Sequence, residues 1–126
     1  MTPAEAARPP RTEDARTPGS DGTVANEAAA TELFIFVRLH AREGCEAAVE
    51  GALRDVLGPS RDETGCRAIQ AFRATQDPRL FYIHSRWVDE AAFERHAALP
   101  HTLQFIQRVA VLIDHTLVVT RATPID

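Results

Sequence analysis

Apolar and polar positions change their period several times along this chain, and the changes mark out elements. Leu33-Phe34-Ile35-Phe36-Val37-Arg38-Leu39-His40 is rich in β-branched and aromatic residues. Both alternating sets are apolar at its start, which predicts a strand covered on both faces. Ala41 to Gly44 reads as a turn. From Cys45 to Leu57 the apolar positions Ala48, Val49, Ala52, Leu53, Val56 and Leu57 recur at spacings of three and four, a helical stripe. Gly58-Pro59 ends or bends that helix, with a short continuation over Ser60-Arg61-Asp62-Glu63 and a stop at Gly65.

Cys66 to Thr75 reads as a second strand and Leu80 to Val88 as a third. Gln76-Asp77-Pro78-Arg79 between them is a tight turn, so the two form an antiparallel hairpin. Asp89 is placed to N-cap a helix carrying Ala92, Phe93 and His96 on one side. Pro100 suits the first turn of a further helical run, His101 to Ile113, with Leu103, Phe105, Ile106, Val109, Ala110 and Ile113 facing inward. Thr116 to Arg121 closes the chain as a fourth strand. The order β-α-β-β-α-β is the ferredoxin-like, α+β arrangement with an antiparallel four-stranded sheet. Helices cover only one face of such a sheet, yet Leu33/Ile35/Val37/Leu39 and Phe34/Phe36 make both faces of strand one apolar. The second face is therefore expected to meet the same face of another copy, giving a homodimer.

Residues 1–31 break this pattern. They are Ala, Pro, Thr, Glu, Arg, Asp and Gly almost throughout, and the expectation is a disordered tail before one domain over residues 32–126. The whole chain has 126 residues, 44% hydrophobic and 25% charged, with a formal net charge of −4. All 14 basic residues are arginines. This acidic balance argues against non-specific nucleic-acid binding, which needs a surplus of phosphate-neutralising charge. No apolar run is long enough to span a membrane and no apolar leader is visible, so a cytoplasmic protein is expected. Cys45 and Cys66 are too few for a disulfide framework and lack metal-ligand spacing. Nothing reads as a P-loop, a dinucleotide turn or a zinc cluster, and no cofactor or metal is expected.

Val37 to Leu112 resembles the antibiotic biosynthesis monooxygenase domain, a family of dimeric α+β barrels. The residues carrying the resemblance are Arg42-Glu43-Gly44, Ser60-Arg61-Asp62-Glu63-Thr64-Gly65-Cys66 and Asp77-Pro78. They continue through Arg86-Trp87-Val88-Asp89-Glu90-Ala91-Ala92-Phe93-Glu94-Arg95-His96, then Leu99-Pro100-His101 and Phe105. Together they are specific for the fold family and much weaker evidence for one reaction. Members oxidise anthrones or quinols with dioxygen and no cofactor, degrade haem, act on small signalling sugars, or have no assigned activity. The positions that the haem-degrading branch fills with Asn, Trp and His hold Val37, His96 and Ile106 here, and isoleucine cannot ligate iron. Many relatives carry Glu two residues before the strand-three Trp, where this chain has Ser85.

The resemblance implies a cofactor-independent monooxygenase, taking a small aromatic, quinol-like or polyketide-type substrate and dioxygen. Such chemistry needs a base titrating near neutrality, a donor for the oxyanion and a dry apolar pocket. His96 is the candidate catalytic base. Trp87, Arg86, Tyr82, Arg38 and His101 are the candidate substrate-binding residues. Each has a structural alternative: Trp87 as a core anchor, the arginines as dimer salt bridges, His101 as a local group at a helix start. A non-catalytic ligand-binding dimer, or an isomerase or lyase using the same histidine, are the competing functions.

Overall fold

The computed structural model describes residues 31–126. The tail expected over residues 1–31 lies, up to residue 30, outside the described residues. The order is β1 Leu33–His40, α1 Glu46–Arg61, β2 Cys66–Arg73, β3 Leu80–Trp87, α2 Glu90–Ala98, α3 Pro100–Ala110 and β4 Val118–Ala122. The strands form one antiparallel sheet ordered β2-β3-β1-β4. This is the expected α+β topology, with the second crossover split into two helices. Among the described residues no helix is long and apolar enough to cross a membrane.

The boundaries of α1, α3 and β4 differ most from the sequence reading, while β2 ends at Arg73 rather than Thr75 and β3 at Trp87 rather than Val88. α1 runs through Gly58-Pro59 to Arg61 without a break. Pro59 has no N–H to offer the Asp55 carbonyl one turn back, yet the helix continues past it, and the Ser60 hydroxyl donates to the Val56 carbonyl at 2.7 Å. The helix then tightens, Asp62 N–H bonding Pro59 O and Glu63 N–H bonding Ser60 O, both at 3.2 Å. α3 stops at Ala110 rather than Ile113, and β4 starts at Val118 rather than Thr116. The chain between them is held instead by Ala41 bridging to Ile113 and by Asp114 N–H donating to His40 O.

Cross-strand register sorts the sheet into two faces, because partners in a ladder point the same way. One face carries the rows Cys66/Trp87/Leu33, Ile69/Ser85/Ile35/Arg121 and Ala71/Ile83/Val37/Val119. The three helices pack on this face, and it holds the core: Ile35, Leu39, Phe81 and Trp87 are buried against Val49, Leu53, Phe93, Phe105 and Val109. The other face carries Phe72/Tyr82/Arg38/Val118, Gln70/His84/Phe36/Thr120 and Ala68/Arg86/Phe34/Ala122. Here Phe36 is 46% exposed, Phe72 45% and Tyr82 38%.

One end of the sheet is tied by polar groups. His40 Nδ1 lies 2.7 Å from Asp114 Oδ2 and its Nε2 lies 3.0 Å from Asp77 Oδ2, joining the β2–β3 turn to the segment before β4. The hydrogen bond to Asp114 outweighs a desolvation cost and, with Asp77, raises the imidazole above its ordinary pKa of 6.5. The Asp114 carboxyl is lowered in turn, first by His40, and Asp77 first by the Arg79 backbone N–H. A raised histidine stabilises the fold below its unfolded pKa and loses that contribution as pH rises through the folded value. The lowered aspartates contribute above 3.8 and lose their contribution on acidification. Thermal stability is therefore expected to be greatest between those limits and to decline as pH rises past 6.5. Melting curves should show the alkaline decline in the wild type and its attenuation in His40→Gln; equal declines would remove His40 as the cause.

Candidate functional site

The end of α1 places a carboxylate beside the second crossover. Arg61 donates from Nε and Nη2 to the Ile69 carbonyl, at 3.3 and 3.1 Å, fixing the helix end to β2. After Glu63 the chain turns, Cys66 N–H returning to Glu63 O at 3.0 Å. Gly65 lies so close to α2 that a Cβ there would collide with the Ala92 side chain. Only glycine lets the loop carrying Glu63 approach the helix carrying His96.

The crossover supplies two imidazoles. α2 starts with the Asp89 carboxylate accepting from Ala92 N–H at 2.9 Å. It ends because Leu99, preceding Pro100, is extended at ψ 151°. Pro100 opens α3 at its first turn. This break turns His96, in the last turn of α2, and His101, in the first turn of α3, towards the same oxygen. His96 Nδ1 is 2.7 Å and His101 Nε2 2.6 Å from Glu63 Oε2. Thr102 Oγ1 is 3.3 Å from His96 Nδ1.

A carboxylate only accepts, so Nδ1 of His96 is the protonated nitrogen and the lone pair is on Nε2. No hydrogen bond engages Nε2 among the described residues. Burial pushes the His96 pKa below its ordinary value, although Glu63 pulls the other way. Burial thus favours the neutral imidazole. Its ring packs on Trp87, centroids 4.5 Å apart, and near Phe93 at 5.8 Å.

His96 lines a cavity of about 640 Å³ between the helices and the covered sheet face. Its walls are apolar, among them Ile35, Val37, Ile83, Phe105 and Val109; exposed Arg42, Asp114, His115 and Thr116 form its rim. That volume suits a small organic molecule. Besides Ser60, whose hydroxyl donates to Val56 O, three further polar groups reach the lining. Ser85 Oγ accepts from the buried Trp87 Nε1 at 2.9 Å, which leaves the hydroxyl proton to be donated elsewhere. Thr102 contributes a second hydroxyl. Arg121 reaches in from β4; its Nη1 bridges Glu90 and Glu94 at 2.6 and 2.7 Å, while its buried Nε has no partner among the described residues.

The candidates named from the sequence are divided by the sheet. His96 lines the cavity. His101 stands behind it on the shared carboxylate, half-buried. Trp87 is fully buried and backs His96 rather than lining the cavity. Arg38, Tyr82 and Arg86 lie on the open face, away from the cavity. Arg86 already pairs with Glu32 at 3.0 Å, and Arg38 Nη1 lies 3.3 Å from His115. The sequence reading missed Glu63 as the carboxylate on His96, having placed it in a helix tail, and missed Arg121 as the cavity's cation. The parity of β4 would have found Arg121, since its register partner is Ile35. Ser85, noted for lacking a carboxylate, carries the indole N–H. Val37, His96 and Ile106 all line the cavity.

A family model described as antibiotic biosynthesis monooxygenase matches residues 33–108. The crystal structure of PA3566 from Pseudomonas aeruginosa is 30% identical, with TM-score 0.72, over 78% of this chain and 98% of that one. A Mycobacterium tuberculosis protein named "Putative monooxygenase Rv0793" is 25% identical over 94 residues, 75% of this chain and 92% of its own length. Its solved structure superimposes with TM-score 0.72 over 76% of this chain and 97% of that one, at 23% identity.

Because Ser85 is the acceptor for the buried Trp87 indole N–H among the described residues, Ser85→Ala should destabilise the protein by about 1–3 kcal/mol. Urea unfolding measures this, and an unchanged midpoint would show that the bond contributes nothing.

Proposed function

The chain belongs to the antibiotic biosynthesis monooxygenase family, and from that premise we propose that it is a cofactor-independent, homodimeric oxygenase acting on a phenolic, quinol-type or polyketide-type aromatic molecule. The observation that carries this reading is the Glu63–His96 pair at the wall of an apolar cavity. Glu63 fixes the ring and its tautomer, and Nε2 takes the acidic proton of the substrate. The electron-rich anion then passes one electron to dioxygen, giving a substrate radical and superoxide. These recombine, and loss of water from the hydroperoxide leaves a carbonyl. In sum, a CH₂ group and O₂ become C=O and H₂O.

Ser85, Thr102 and Arg121 are the groups positioned to steady the oxyanion. The apolar walls exclude the water that would quench the radical pair. The same cavity suits a non-catalytic ligand-binding protein, but a buried carboxylate–imidazole pair is more than retention of an apolar ligand requires.

The open sheet face supports the dimer. Phe36, Phe72 and Tyr82 lie in neighbouring rows there, and a second copy of the same face covers them to close an α+β barrel. Arg38 and Arg86 belong to that interface rather than to the substrate.

Metal-stripped protein should consume oxygen with anthrones or hydroquinones, and the rate should survive chelation. His96→Gln should lower the rate by about 10²–10⁴-fold, the usual worth of a positioned base. Uptake that is equal in wild type and His96→Gln would discard the base; uptake no greater than autoxidation across the panel would favour the binding reading. Sedimentation should give the mass of two chains, and Phe36→Asp should shift it towards one. A single-chain mass for the wild type would contradict the barrel.

A further inference from the structure

Glu63, His96 and His101 each offer one ligand atom, and those atoms all lie within 4.8 Å of one another. Two imidazole nitrogens and one carboxylate oxygen form a donor set that suits Zn²⁺, Co²⁺ and Fe²⁺. No metal-ligand spacing is visible in the sequence, because the three residues come from the end of α1 and the two sides of the Leu99-Pro100 break. The set is also held in place. Arg61 anchors the loop of Glu63 to β2, Trp87 and Phe93 pack the His96 ring, and Thr102 reaches its Nδ1. The side chains of His96 and Glu63 are 11% and 12% exposed, and that of His101 is 24% exposed, which leaves an entry route on its side. Glu63 and His101 do not line the cavity, so an ion here sits behind His96.

The nitrogen facing this cluster is Nδ1. A metal takes the lone pair of a neutral imidazole, so an ion on Nδ1 forces the ring's one proton onto Nε2. The nitrogen left to the cavity then donates a hydrogen bond and has no lone pair with which to accept a proton.

We propose that Glu63, His96 and His101 bind one divalent transition-metal ion, and that the bound ion turns the cavity's base into a donor and so switches off proton abstraction. The consequence for turnover rests on the oxygenase reading; the binding of the ion does not.

The other histidine cluster of the described residues is built differently. Both ring nitrogens of His40 already engage carboxylates, Asp114 and Asp77, and His115 is exposed. It serves as the internal control.

Full-length protein stripped with chelator is titrated with Zn²⁺ by calorimetry and with Co²⁺ by visible absorption. The expected result is one ion per chain and ligand-field bands from Co²⁺. Glu63→Gln and His101→Gln should each weaken affinity about tenfold or more, in line with the loss of a ligand or its support. His115→Gln should leave affinity unchanged. Affinity unaltered in both Glu63→Gln and His101→Gln, or the absence of both heat and bands at equimolar ion, overturns the site. His101 is the most exposed of the three ligands, so its variant keeps the test valid should Glu63→Gln fail to fold, as circular dichroism will report.

With a substrate that the metal-free protein oxidises, saturating Zn²⁺ should suppress oxygen uptake and chelator should restore it. Undiminished uptake with the ion bound overturns the switch. Absence of uptake in the metal-free protein with every substrate counts against the oxygenase reading alone, since calorimetry decides the site independently.

Discussion

Glu63 Oε2 accepts from His96 Nδ1 at 2.7 Å and from His101 Nε2 at 2.6 Å, and this shared acceptor joins the turn that follows α1 to the break between α2 and α3. Three features of the chain converge to make it. The tightened end of α1 delivers the carboxylate, Gly65 permits close approach to α2, and Pro100 turns two consecutive helices so that their histidines look the same way. A half-buried carboxylate needs donors, and the two imidazoles provide them. The arrangement decides the tautomer of His96, and the tautomer decides what the cavity can do.

The sheet separates two tasks. Its covered face builds a cavity with apolar walls, into which His96, Ser85, Thr102 and Arg121 bring polar groups. Its open face presents aromatic rings beside arginines, Arg86 over Phe34 at 5.5 Å among them. Such a surface suits association, where guanidinium groups lie flat on rings and still keep their ion pairs. The Trp87–Ser85 hydrogen bond belongs to the covered face. It lets a large indole fill the core under His96 without an unsatisfied N–H.

Much of this was legible in the chain. The strand and helix periods placed every element to within a few residues, and the helix side shared by Ala92, Phe93 and His96 carried the histidine that lines the cavity. What local pattern does not carry is which sheet face the helices cover. Arg86 and Trp87 are neighbours on one strand and therefore point to opposite faces. Glu63 escaped for another reason. Its role depends on contacts 33 and 38 residues further along the chain, made only after the crossover packs on the end of α1. Helix propensity at Ser60-Arg61-Asp62-Glu63 says nothing about such contacts. Arg121 is similar: a charged residue in a short edge strand looks solvated until pairing with β1 turns it inward.

The account stands or falls on the proton of one ring. Long-range ¹H–¹⁵N correlation of histidine-labelled, metal-free protein at pH 7 reads it directly. The account predicts that His96 carries its proton on Nδ1 and leaves Nε2 bare. A proton on Nε2, or on both nitrogens, would contradict it, since neither form can accept a proton from a molecule in the cavity.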